Sequence, residues 1–114
     1  MSTDFFNSKV VQDCVQEIGE LQMKVMLFAQ YSEFATYEDK LDHVRVLRVL
    51  VDKQKNMYYR CHLSNSKEAK SMMKDMEEHF IEMGFETPEN VDETLDYFDR
   101  ISESIDEIEQ EFQV

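Results

Sequence analysis

Tryptophan is absent from these 114 residues, glycine occurs twice and proline once. Few residues here favour reversals of the backbone, so the elements must be few and long. Cysteine is equally scarce: Cys14 and Cys61 are too few for a disulfide framework, and neither belongs to a C-x-x-C pair. Both fall on apolar helical positions, where they read as small buried hydrophobes. There is no run of 18 apolar residues and no charged-then-apolar leader at the start. Membrane spanning and secretion are therefore not expected, and a cytoplasmic protein is.

The signatures of chemistry are missing as well. The chain has no Gly-x-Ser-x-Gly, no glycine-rich phosphate loop and no informative Cys–His pair. Helical bundles hold di-iron centres with paired Glu-x-x-His turns, but Met76 stands three residues before His79. His79 and Glu82 make only a reversed pair, and His43 and His62 have no ligand at helical spacing. No catalytic residue, metal site or cofactor is expected, and the protein is not expected to be an enzyme.

What is abundant is negative charge. The 25 acids outnumber the 12 bases, for a net charge of −13, and the charge is segregated along the chain. Residues 1–39 sum to −5, residues 40–74 to +6 and residues 75–114 to −14. The basic middle can neutralise its acidic neighbours within the fold. Direct nucleic-acid binding is not expected, because phosphate contacts dominate such affinity and the chain as a whole is acidic.

Apolar residues recur at helical spacing through nearly the whole chain. Val11, Cys14, Ile18, Leu21, Val25 and Phe28 alternate steps of three and four, predicting a helix capped at Asn7 or Ser8 and ending near Ser32. Thr36, followed by Glu38 and Asp39, predicts the cap of a second helix to about His62, with Leu41, Val44, Leu47, Val51, Tyr58 and Cys61 inward. Asn65 with Glu68 suits a capping box for a third helix, which seats Ala69, Met72, Met76, Phe80 and Met83 on one seam and stops at Gly84. Thr87-Pro88-Glu89 predicts the start of a fourth, with Val91, Leu95, Phe98, Ile101, Ile105, Ile108 and Phe112 on one face. The expected fold is all-α, a single domain over 1–114 with about four amphipathic helices in an antiparallel or splayed bundle. Apolar residues off the seams, among them Met23, Met26, Leu27, Val46, Val49 and Met57, exceed what one chain needs. A homodimer is expected on that ground.

The fourth helix is the most distinctive segment, with nine carboxylates and only Arg100 between residues 92 and 112. Asp92, Asp96, Asp99, Glu103 and Asp106 recur at steps of four, three, four and three beside the apolar seam. Five charges over about 21 Å is sparser than a DNA strand, which carries one every 3.4 Å or so. Any amphipathic helix turns charge outward, but a helix with one base among nine acids forgoes favourable pairs at i,i+4. A basic partner, on this chain or another, accounts for the bias. These five residues are the candidate partner-binding set.

Four ordered anchors carry a resemblance: Phe5-Phe6-Asn7-Ser8-Lys9-Val10-Val11-Gln12, Tyr31-Ser32-Glu33-Phe34, Leu63-Ser64, and Gly84 with Thr87-Pro88. Together they resemble a small family of helical proteins of cyanobacteria and of their phages. This chain departs from the pattern at Ser32, where the family has Gly, and it is more acidic at its C-terminal end. The resemblance implies a regulatory protein that binds the catalytic region of ribonuclease E and restrains it. It carries over no functional residue. The alternative from another class is a dimeric structural or assembly protein, for instance of a phage, with no inhibitory role.

Overall fold

The computed structural model describes residues 4–112, so the ends of the single domain expected over 1–114 lie outside the described residues. One helical turn, α1 (Asp4–Asn7), precedes four longer helices: α2 (Lys9–Tyr31), α3 (Tyr37–Leu63), α4 (Lys67–Glu82) and α5 (Val91–Phe112). A 3₁₀ turn over Ser32–Phe34 joins α2 to α3, and no strand occurs among the described residues. The fold is all-α.

Helix α3 is the axis of the molecule. Helix α2 runs antiparallel to it, with Glu17 paired to Lys53 at one end and Phe28 stacked on His43 at the other. On another side α5 runs antiparallel over the same length, from Tyr37 against Phe112 to Lys55 against Asp99. Helix α4 packs near the C-terminal part of α3, where Tyr58 Oη donates to Glu77 Oε2 at 2.6 Å. Helices α2 and α5 each pack along α3 and share no comparable contact with each other. Three long helices therefore make an open, splayed assembly, not a closed four-helix bundle. Its radius of gyration is 15.6 Å, against about 13 Å for a closely packed domain of this length.

The core is strongest where α3, α4 and α5 meet. Tyr58, Cys61 and Ala69 are wholly buried, and Met57 nearly so. The Phe80 ring meets Phe98 edge-on at 4.8 Å and Tyr97 at 5.6 Å. Thr94 is also wholly buried, with its hydroxyl unpaired. Met73, Thr94 and Tyr97 enter this core from positions beside the expected seams. Tyr97 does so because its hydroxyl can reach out and donate to Glu86 O at 2.9 Å.

Local signals explain most boundaries. Thr36 closes a full capping box on α3: its Oγ1 accepts from Asp39 N at 3.1 Å, and Asp39 accepts from Thr36 N at 3.1 Å. Gly84, at φ +104°, ends α4 in a Schellman motif: Gly84 N donates to Ile81 O and Phe85 N to Phe80 O, each at 3.0 Å. The Phe85 ring then packs edge-on against Phe80 at 5.4 Å.

Other boundaries and faces correct the expectations. The cap of α4 is Ser66, not Asn65: the Ser66 hydroxyl, buried, accepts from Ala69 N and donates to Glu68, while Ser64 Oγ accepts from Ser66 N. A serine hydroxyl fits that buried corner, and Asn65 stays exposed. Helix α5 starts at Val91, not at Pro88, because Asn90 Oδ1 accepts from Glu93 N at 2.9 Å and serves as the cap. Ser8 is the N-cap of α2 by backbone conformation but makes no side-chain bond. Met83 and Ile108, expected inward, are 52% and 43% exposed. Met83 is the C-cap residue of α4. Ile108 lies in the stretch of α5 between Asp106 and Glu109, which α3 reaches with its bases while leaving Ile108 itself partly uncovered.

Candidate interaction surfaces

The first surface is the acidic helix. Its inner edge is not open to solvent partners, because bases of α3 reach it. Arg48 donates to Asp106 Oδ1 and also pairs with Glu109, which Arg45 meets at 3.3 Å; Lys55 Nζ lies 2.6 Å from Asp99. The Arg48 and Arg45 guanidinium groups hold the Glu109 carboxyl below the ordinary carboxylate range. Lys53 is spent in the same way on Glu17 of α2. The basic middle of the chain thus neutralises part of its acidic neighbours across helices.

The five candidate residues separate by partner. Asp99 and Asp106 pair with α3, and Asp96 pairs with Arg100 on its own helix at 2.9 Å. Asp92 and Glu103 are exposed and make no ion pair among the described residues, and Glu107 and Glu111 share that state. Arg100, the single base of residues 75–114, is occupied by Asp96 and lies 5.6 Å over the Tyr97 ring. The outer side of α5 therefore presents carboxylates without a competing cation.

The second surface is an apolar groove of about 900 Å³. Its floor is α3, with Leu47, Leu50 and Val51, and its far wall is Phe98, Ile101 and Ile105 of α5. Helix α2 forms one rim through Val15, Gly19 and Met26, and α4 another through Met72, Met76 and Met83. It exists because α2 and α5 flank α3 without closing on each other. Sequence spacing does not show such a groove. The signal for it was the surplus of apolar residues such as Met26 and Met57, both of which line it.

The remaining reactive groups are quiet. Burial pushes the Cys61 thiol up to about 11, so it holds its proton and is a poor nucleophile. Burial, and then the hydrogen bond to Glu77, raises the Tyr58 hydroxyl above the usual tyrosine range. No cluster of three or more His, Cys, Asp or Glu that could hold a metal occurs among the described residues. No described helix is long and apolar enough to cross a membrane.

No curated protein and no solved structure matches the chain. One family model does, over residues 3–111, and its description is a domain of unknown function, DUF1825. That match covers nearly the whole helical assembly, from α1 to the last turn of α5: the chain belongs to the DUF1825 family.

Proposed function

We propose that the chain is a non-enzymatic regulatory protein of the cytoplasm that docks on an RNA-processing enzyme and inhibits it, acting as a homodimer. Ribonuclease E is the candidate enzyme, named from the resemblance to the cyanobacterial and phage family. The observation that supports docking is the outer face of α5. Asp92, Glu103, Glu107 and Glu111 remain exposed and without an ion pair among the described residues, while Arg45, Arg48 and Lys55 of α3 are taken by Glu109, Asp106 and Asp99. A nuclease that grips RNA offers a basic channel, and such a channel is attracted to a surface of this sign. Asp96, Asp99 and Asp106 support the helix from within the chain and contribute less to docking.

Titration of the purified nuclease catalytic region with the protein tests the reading, with RNA cleavage as a second readout. Affinity is expected to fall steeply with added salt, since the Debye length shrinks from about 10 Å at 0.1 M to about 3 Å at 1 M. Changing Asp92 and Glu103 to Asn and Gln, together with Glu107→Gln and Glu111→Gln, is expected to weaken binding at least tenfold. Salt-insensitive binding, or full inhibition by the quadruple variant, overturns the reading. The assembly-protein alternative is favoured by one observation, the open apolar groove. It predicts self-association with no effect on RNA cleavage.

A further inference from the structure

Helix α2 is the least covered long helix of the molecule. It has 23 residues with apolar positions along its whole length, yet Val11 alone is buried. Val15, Met23, Met26 and Leu27 are 40%, 55%, 61% and 49% exposed. A helix with an apolar band this wide needs a partner on more than one side, and the chain supplies α3 on one. The band also borders the groove, because Val15 and Met26 belong to both. A ridge and a groove therefore share one face of the molecule.

We propose that a second copy of this chain closes the groove: in a two-fold homodimer each chain lays its α2 across the α2–α3 face of the other, crossing near Gly19. The inference rests on the homodimer part of the proposed function and is independent of which enzyme is bound.

Three observations favour a second copy over a foreign helix. The first is charge. On a chain of net charge −13, this groove carries a single carboxylate, Asp75, and one histidine, His79. Copies that repel each other elsewhere can meet through this neutral face, with the acids of α5 left outside. A basic amphipathic segment would find almost nothing here to pair with. The second is shape, since a two-fold interface requires one patch that complements itself, and a ridge beside a groove does so.

The third is area. The chain exposes 7881 Å², against about 6,600 Å² for a monomeric protein of 13.6 kDa. The excess of about 1,300 Å² exceeds the roughly 800 Å² that each partner of a standard interface buries. Gly19 sits on the rim between Val15 and Met26, and a Cβ added there meets nothing within 4 Å in the single chain. In a helix interior glycine is less favourable than alanine. A close crossing of two helices is what that small residue permits.

The test is the mass of the full chain in solution by sedimentation equilibrium, with helicity followed by circular dichroism. Twice the 13.6 kDa chain mass is expected. Met26→Asp is expected to raise the dimer dissociation constant by roughly a hundredfold or more, because it places a charge in the apolar interface. Gly19→Leu is expected to dissociate the dimer while keeping or raising helicity, so it carries the test if Met26→Asp fails to fold. Phe34→Ser, at an 85% exposed position away from the groove, is expected to leave the dimer intact.

A wild-type monomer at about 100 μM overturns both this interface and the homodimer on which it rests. A dimer that survives Met26→Asp and Gly19→Leu overturns the groove alone and leaves the homodimer standing. A monomer whose groove takes up a foreign amphipathic peptide also overturns the proposal.

Discussion

Arg48 of α3 reaches Asp106 of α5 with two donors, Nε at 3.0 Å and Nη2 at 2.6 Å, both on the same carboxylate oxygen. The same side chain pairs with Glu109 one turn further along. A stripe that sequence spacing places at the surface is thereby tied partly to its own fold. The charge segregation of the chain is, in part, a device for pairing α3 with α5 in antiparallel register.

That pairing sets direction more than stability. Asp106 is 54% exposed, and pairs with such access to water contribute at most about 1 kcal/mol. A double-mutant cycle of Arg48→Gln and Asp106→Asn by urea unfolding is expected to give a coupling of about 0.5 kcal/mol at low salt. The coupling is expected to disappear near 1 M salt, where screening is strong. A coupling above about 2 kcal/mol at any salt would contradict this picture.

The junction of α4 and α5 is where single changes cost most. Phe80 is 3% exposed and meets Phe85, Tyr97 and Phe98 edge-on. Phe80→Ala is expected to lose about 3–5 kcal/mol, measured as a lower denaturation midpoint. Gly84→Ala acts on the same corner through the backbone, since φ +104° strains any residue with a Cβ. Its expected cost is about 1–2 kcal/mol, with no change in the groove.

Thr94 offers the opposite sign. Its hydroxyl is fully buried and makes no hydrogen bond of good geometry; the neighbouring Tyr58 hydroxyl, close enough to feel it, donates to Glu77 instead. Thr94→Val keeps the shape and removes an unpaired polar group, so stability is expected to rise by about 1 kcal/mol. A loss of stability in the same unfolding assay would mean that the hydroxyl has a partner in solution.

His43 gives a pH dependence with a definite sign. Its ring stacks on Phe28 at 3.9 Å and 11°, and burial holds its pKa below the ordinary 6.5. The folded protein holds the imidazole neutral to a lower pH than the unfolded chain, which takes up a proton as pH falls through 6.5. This contribution is present above pH 6.5 and is lost as pH falls toward the folded pKa. Between about pH 7.5 and 5.5, the wild type is expected to lose more stability than His43→Phe in parallel unfolding curves. Equal losses would show that the ring is protonated in place.

Helix type, number and most of their ends were legible in the sequence, because period, caps and breakers are local. Thr36 with Asp39 and the Gly84–Phe85 stop needed only neighbours within six residues, and the structure shows those bonds. Where two local signals competed, spacing did not decide. Ser66 prevailed over Asn65 because its hydroxyl is buried in the corner between α3 and α4. Asn90 prevailed over Thr87 at the start of α5, where Tyr97 fastens the preceding loop through Glu86.

What the sequence determined by itself is the all-α composition, the segregated charge and the surplus of apolar side chains. Only the tertiary structure decided where that surplus goes. Helices α2 and α5 both take α3 as their partner and share no comparable contact with each other. The apolar residues between them therefore line a groove and do not form a closed core. Likewise only packing decided which acids remain outward, since a carboxylate one step around α5 either meets Arg48 or Lys55 or faces water. Local sequence sets which face of a helix is apolar, but the neighbour that covers it is chosen by the geometry of the whole chain.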